Sequence, residues 1–292
     1  MTIGPSCNRA WMAAVVVGLA CSTAHAQWSI GAPGKREAPA GKHRFVFLVF
    51  ANPIPGREAE FNDWYTNTHM GDLVQLPGWV GAQRFRIITT VQPRPSMGGY
   101  THGYLIIWDL EETEANAALS RMDAAIAGGK SRRGAAFNYS PGAGARGAYQ
   151  AMGPRITRPD GKGPALPDVL DNRTPRPNRY ILMQFANPLT GREAEFDKAA
   201  NQSIQDVLTL PGWMAAQRFR IADTPGRAAS DKPKYLTIWE VEGPSAQAIH
   251  ETLMGALQSG TVKTSVAADE RTAETVYWEP ITPHISKDDF VR

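Results

Sequence analysis

The dozen residues "FANPIPGREAEF" at Phe50–Phe61 return as "FANPLTGREAEF" at Phe185–Phe196. The recurrence continues downstream. "DLVQLPGWVGAQRFRI" (Asp72–Ile87) comes back as "DVLTLPGWMAAQRFRI" (Asp206–Ile221), and "YLIIWDLE" (Tyr104–Glu111) as "YLTIWEVE" (Tyr235–Glu242). A chain that carries one supersecondary unit twice folds as two like halves, so any architecture assigned to one half must also suit the other. The halves span 43–156 and 179–283. Between them, 157–178 is rich in Pro, Gly and charge and reads as a linker.

Each half reads as β-α-β-β-α-β. "RFVFLVF" and "RYILMQF" are dense in apolar and aromatic residues and run into Asn-Pro, as strands do. "GREAEFNDWYTNTHMGDLVQL" sets Phe61, Tyr65, Asp72 and Leu76 near one helical stripe and stops at Pro77-Gly78. "GAQRFRII" and "GYLIIWDL" are strands separated by the loop "QPRPSMGG". Ala-rich helices ending at glycine follow, and "GAYQAMG" and "ETVYWEP" close the two units. This order gives the α+β class: a four-stranded antiparallel sheet with both helices on one face, the ferredoxin-like arrangement. Its other face needs a cover. Two such sheets in one chain cover each other by packing face to face as an intrachain α+β barrel.

The first 26 residues stand apart from this scheme. Arg9, the apolar run "AWMAAVVVGLA" and Ala24-His25-Ala26 have the layout of a secretory signal peptide, whose cleavage leaves Gln27 first in a periplasmic or secreted protein. A lipidated Cys21 is the weaker alternative, because Gly18 stands where a branched apolar residue is usual. Cys7 and Cys21 both lie in this leader, so the expected mature chain has no disulfide, thiolate nucleophile or Cys-bound metal. The leader holds one basic and no acidic residue. The chain's 31 Lys and Arg therefore fall to 30 against 28 Asp and Glu, a formal charge of +2 that does not suggest nucleic acid. The one dense basic tract, Lys130–Arg133 ("KSRR"), reads as a solvated loop, and no later apolar run reaches membrane-spanning length.

The halves differ most in the middle of the first helix. The first reads "NDWYTNTHMGD"; the second reads "DKAANQSIQD" and is one residue shorter. Tyr65 aligns with Ala199 or Ala200 and His69 with Ser203 or Ile204, while the flanking Phe61/Phe196 and Leu-Pro-Gly-Trp are kept. The copies share a scaffold, and the first alone carries groups for chemistry. Tyr65 and His69, four apart, share a helical face and could hydrogen-bond. An imidazole moves protons near neutral pH, and a phenol donates to a developing oxyanion. Both equally suit packing. Phe45, Phe47 and Val49 alternate onto one strand face, as do Tyr104, Ile106 and Trp108. Their counterparts are Tyr180, Leu182 and Gln184, and Tyr235, Thr237 and Trp239. Directed into the barrel, these faces would line an apolar, aromatic cavity or fill a core. Arg84 and Arg86 share a face and suit a carboxylate or phenolate, or an ion pair. His102 precedes the third strand near the barrel mouth. "GAGARG" at Gly142–Gly147 satisfies G-x-G-x-x-G without the strand–turn–helix setting a dinucleotide needs, and the histidines lack metal-ligand spacing.

With "F-N-D-W-Y-T-N-T-H", "L-P-G-W" and "A-Q-R-F-R", the first half resembles the dimeric α+β barrel superfamily and, within it, EthD-like proteins, here as a tandem fused pair. That resemblance implies the barrel and leaves chemistry open among isomerases, polyketide cyclases, cofactor-free oxygenases and haem proteins. The expectation is a cofactor-independent enzyme doing isomerase, lyase or cyclase chemistry on a small hydrophobic, aromatic molecule. His69 and Tyr65 would be catalytic, and Trp64, Tyr104, Trp108, Phe47, Arg84 and His102 would bind substrate. A non-catalytic ligand-binding barrel is the rival, and after it a barrel with haem held by His69 or a cofactor-free oxygenase. Self-association stays open.

Overall fold

The computed structural model describes residues 38–92, 101–158, 178–224 and 233–290; the expected leader, nearly all of the expected linker and most of the "QPRPSMGG" loop lie outside them. The first half contains β1 (His43–Ala51), β2 (Trp79–Ile88), β3 (Tyr104–Glu112), α3 (Ala115–Ala127) and β4 (Gly144–Ala151). The helix expected between β1 and β2 is built from α1 (Glu58–Trp64), a π-helical turn (Tyr65–His69) and α2 (Met70–Val74). A two-residue β5 (Ile156–Thr157) follows. The second half has β6 (Arg179–Pro188), α4 (Glu193–Val207), β7 (Trp213–Ile221), β8 (Tyr235–Glu242), α5 (Ala246–Gln258) and β9 (Ala268–Pro280). Then come β10 (Ile285–Ser286) and a short 3₁₀ turn, Lys287–Phe290. Both first helices open with two glutamates, Glu58 and Glu60 or Glu193 and Glu195, at the positive end of the helix dipole. Each leads to the Leu-Pro-Gly-Trp turn, where Gly78 and Gly212 take φ of 83° and 82°. A side chain resists that conformation, and a Cβ at Gly212 would also lie 2.5 Å from the Glu242 carbonyl oxygen.

The sheets are antiparallel in the orders β2-β3-β1-β4 and β7-β8-β6-β9, the same ferredoxin-like order twice. They face each other and also join at their edges. Strand β4 pairs with β7 (Tyr149 opposite Ile221, Ala151 opposite Phe219), and β2 with β9 (Phe85 opposite Pro280, Ile88 opposite Tyr277). Eight strands thus close into a barrel, which occupies edges that would otherwise recruit another chain. The short strands take up more of the same two edges: β5 lies on β7 and β10 on β2. Each brings a basic side chain to a buried carboxylate, Arg155 to Glu240 at 2.5 and 2.6 Å and His284 to Asp109 at 2.8 Å. Among the described residues no helix is long and apolar enough to cross a membrane.

Side chains from both halves fill the barrel: Val46, Leu48, Phe50, Leu105 and Ile107 meet Ile181, Met183, Phe185, Ile238 and Trp278. This reverses the expected faces. Phe45, Phe47, Ile106 and Trp108 lie on the outside of the sheet, packed with Phe61, Tyr65 and Trp79 beneath the first-half helices, and Val49 and Tyr104 pack against that layer. In the second half Leu182 and Trp239 are likewise under helices. The physical reason is that β1 and β3 are buried on both faces, so alternation along them could not tell which face meets a helix. The barrel interior is a packed core. The aromatic residues expected to line a cavity there lie between helix and sheet instead.

Candidate active site

The first helix places the site and is where the halves diverge. Arg84 reaches Asn62 and Thr66 as Arg218 reaches Asp197 and Asn201. These pairs fix the alignment as far as Thr66, and buried Met70 then corresponds to Ile204. The first half's extra residue therefore falls inside the π turn, where the Met70 N–H bonds the Tyr65 carbonyl five residues back. The second half has an uninterrupted 15-residue α4 instead. A π turn is an uncommon way to absorb one residue and recurs at functional sites. It holds both residues singled out from sequence: Tyr65 in the place of Ala200 and His69 in that of Ser203.

Aromatic rings surround His69. Its imidazole stacks on Trp64 at 4.6 Å and 25°, and stands edge-on to Tyr65 at 5.0 Å and to Trp108 at 6.0 Å. The expected hydrogen bond between Tyr65 and His69 is not made. His69 Nδ1 instead bonds Ser131 Oγ at 3.0 Å, and the Tyr65 ring faces Trp108 at 6.5 Å. Asp72 lies beside Ser131 and the Arg132 backbone, which oppose the upward shift that burial gives its pKa. A Ser131 proton turned to Asp72 would leave the Ser131 lone pair to accept Nδ1–H. That arrangement is the neutral tautomer with a lone pair on Nε2, and nothing bonds Nε2 among the described residues. Burial lowers the His69 pKa to about 4, so the ring is neutral at pH 7. Burial pushes the Tyr65 phenol well above its ordinary range, with the Arg84 charge opposing, so it remains a donor.

Arg84 lies beneath the helix, its guanidinium 5.0 Å from the Tyr65 ring centre, 5.2 Å from Phe61 and 5.8 Å from Tyr104. It donates to Asn62 O at 3.1 Å, Asn62 Oδ1 at 2.6 Å and Thr66 Oγ1 at 2.6 Å, while its Nε is buried without a partner. Arg218 has a counter-ion in Asp197, whereas Arg84 has a neutral amide at that place. Burial lowers the Arg84 pKa to about 10, leaving a cation held by neutral groups next to a phenol. Arg86 makes the ordinary rim ion pair, with Glu279 at 2.6 Å.

Of the residues expected to form the site, Tyr65, His69, Trp64, Trp108, Arg84 and Tyr104 are brought together. Phe47 is one ring further back, edge-on to Trp79 at 6.2 Å. His102 is elsewhere: its ring is 6.2 Å from Phe50, a barrel-interior residue, because β3 turns its alternate side to the helices. Ser131 and Asp72 were missed. Ser131 sits in the tract read as a solvated loop, yet it is buried, and its counterpart Val262 makes the same backbone bond to the helix before it. That Ser-to-Val difference was the available signal.

No family model matches the sequence, and no curated protein matches it. Among solved structures, an anthrone oxidase-like protein is similar in shape, with a TM-score of 0.52 at 14% identity over 84% of this chain and 93% of that one. A chlorite dismutase variant from Candidatus Nitrospira defluvii aligns with a TM-score of 0.45 at 12% identity, over 82% of this chain and 92% of its own. At such identity the first likeness bears on fold alone, and it agrees with the strand order: the molecule is an α+β barrel of two ferredoxin-like halves.

Proposed function

We propose that the protein is an enzyme that moves a proton at His69, without a cofactor for that step, on a small hydrophobic, aromatic substrate. Isomerase, lyase or cyclase chemistry all fit. Fold likeness leaves the chemistry to the site. The observation that supports the reading is the His69 Nδ1–Ser131 Oγ hydrogen bond with Asp72 beside it, an arrangement in which Nε2 would accept a proton. The imidazolium so formed keeps its Nδ1–H on Ser131, with the Asp72 carboxylate behind it. Tyr65, protonated at any physiological pH, donates to the oxyanion that proton removal creates, and the Arg84 cation favours the same negative charge. Returning the proton to another substrate atom completes an isomerisation. Trp64-Tyr65, His69 and the Leu-Pro-Gly-Trp turn support placing the chain beside EthD-like proteins within this fold.

The test is kinetic, with a substrate found by screening small aromatic acids, phenols and ketones. His69→Ala lowers kcat on the order of a hundredfold or more at an unchanged melting temperature. Tyr65→Phe tests donation with the ring retained, and Ser203→Ala in the second half is the internal control. Ser131→Val installs the second half's own residue, so folding survives while kcat falls and the His69 ¹⁵N shifts lose their single-tautomer pattern. The enzyme reading fails if His69→Ala and Tyr65→Phe turn over at the parent rate. A ligand bound but never converted by the parent makes the protein a binding module, and a stoichiometric Soret band makes it a haem protein.

A further inference from the structure

The outer wall of the site carries groups that proton transfer at His69 does not use. After α3 the chain passes over Trp64, whose indole donates to Arg132 O at 3.1 Å, and a Cβ at Gly134 would lie 2.4 Å from the Trp64 ring. Backbone bonds anchor this segment, from Ile54 N to Ala136 O at 2.8 Å and from Asn138 N to Asn52 O at 3.1 Å. Beside it opens a cleft of ≈ 800 Å³ whose lining includes Ile54, Pro55, Arg133, Phe137 and Tyr139. Tyr139 is 53% exposed. Its ring lies 4.6 Å from Phe137 at 34°, and the Arg133 guanidinium sits over it at 5.6 Å. Among the described residues no carboxylate pairs with Arg133.

From the cleft a run of rings leads inward, Phe137 to Trp64 at 6.2 Å and Trp64 to His69 at 4.6 Å. The Tyr139 phenol is near enough to Tyr65 to reinforce its upward pKa shift. The second half shows which of these features belong to the scaffold. It keeps the anchors, Leu189 N to Ala267 O and Arg192 Nη1 to Val266 O, matching Arg57 Nη1 to Ala135 O. With that register Arg133 corresponds to Thr264, Phe137 to Ala268 and Tyr139 to Glu270. The cation and both rings are gone, and a carboxylate stands in their place.

We propose that this cleft binds a planar aromatic anion, its ring against Tyr139 and Phe137 and its carboxylate beside Arg133. A guanidinium matches a carboxylate in plane and charge, and an aromatic face recognises another ring. As the outer subsite of the His69 centre, the cleft rests on the proton-transfer reading; as a binding site it stands without it. The test is calorimetric titration of the protein with 2-naphthoate, its neutral analogue 2-naphthamide and the non-aromatic cyclohexanecarboxylate. Naphthoate saturates a single site and binds about fivefold or more tighter than either control. Arg133→Gln removes the preference over the amide, and Tyr139→Ala removes the preference over the cyclohexane acid. Both side chains are exposed, and a thermal melt checks that the variants stay folded. The proposal is overturned if naphthoate does not saturate, if the three ligands bind alike, or if both variants bind naphthoate as the parent does. His69→Ala keeps naphthoate affinity, so parent-level turnover in that variant would sink the proton-transfer reading and leave the cleft standing.

Discussion

His69 differs from a surface histidine in what folding does to its proton. An unfolded imidazole titrates near 6.5, whereas burial among Trp64, Tyr65 and Trp108 takes this one to about 4. Between those values the unfolded chain binds a proton that the folded chain refuses, so stability rises with pH across that window. The contribution is complete above the unfolded value and is lost as pH falls towards 4. With the ring partly exposed, it amounts to on the order of 2 kcal/mol. Denaturant unfolding of the parent and His69→Gln at pH 7, 5.5 and 4 measures it: the parent's stability relative to the variant shrinks as pH falls. A gap that stays constant with pH would show that the ring is not held neutral. Tyr65 and His69 were legible because the second half supplies Ala200 and Ser203 in their places. Ser131 was not, since its partner His69 is 62 positions away in sequence and a serine beside basic residues resembles any loop.

At the scale of elements, the π turn is the difference between the first half's helix and α4 of the second. Removing Thr68, an exposed residue of the turn, gives the first helix the residue count of its counterpart α4, which is continuous. The shortened helix folds, because the second half shows that this framework accepts it. The change also rotates His69 relative to Tyr65 and breaks its approach to Ser131. The expected result is a melting temperature at or above the parent's, with the His69 titration followed by NMR returning towards its ordinary value and, on the proposed function, turnover lost. An unaltered His69 titration with parental turnover would show that the π turn is incidental. The one-residue length difference was visible in the sequence; its form as a π turn was not, because a gap can be absorbed at a helix end as well. Strand identities were equally legible, but not their facing. Val46 and Phe47, adjacent and both buried, give no period-2 contrast from which to choose the barrel side.

At the scale of the molecule the halves are interlocked as well as stacked. Val91, just past β2, is buried in the second half's helical layer, and Gln92 exchanges two hydrogen bonds with Gln247 of α5 at 2.6 Å each. Ala222, just past β7, reciprocates by packing into the first half's layer and bonding Ala148 O at 2.9 Å. Duplication made two sheets covering each other readable from the sequence, but the joining of their edges has no signature in composition or period. The two joints are the same joint used twice, since each pairs the closing strand of one half with the second strand of the other: β4 with β7, and β9 with β2. A first half alone therefore holds both partners of a joint on its own edges. A chain covering residues 43–158 would expose Val46, Leu48, Phe50, Phe85, Leu105 and Ile107 together, an apolar face far beyond what a soluble monomer carries. Two copies of it can bury that face by laying β4 of each on β2 of the other, rebuilding a closed barrel with a His69 centre on both sides. Light scattering should accordingly give twice the chain mass, and the His69 resonance should titrate as in the full-length protein. A well-behaved monomer of this half would contradict the account of the barrel, because its inner face would then be stable in water and the second half would not be needed to cover it.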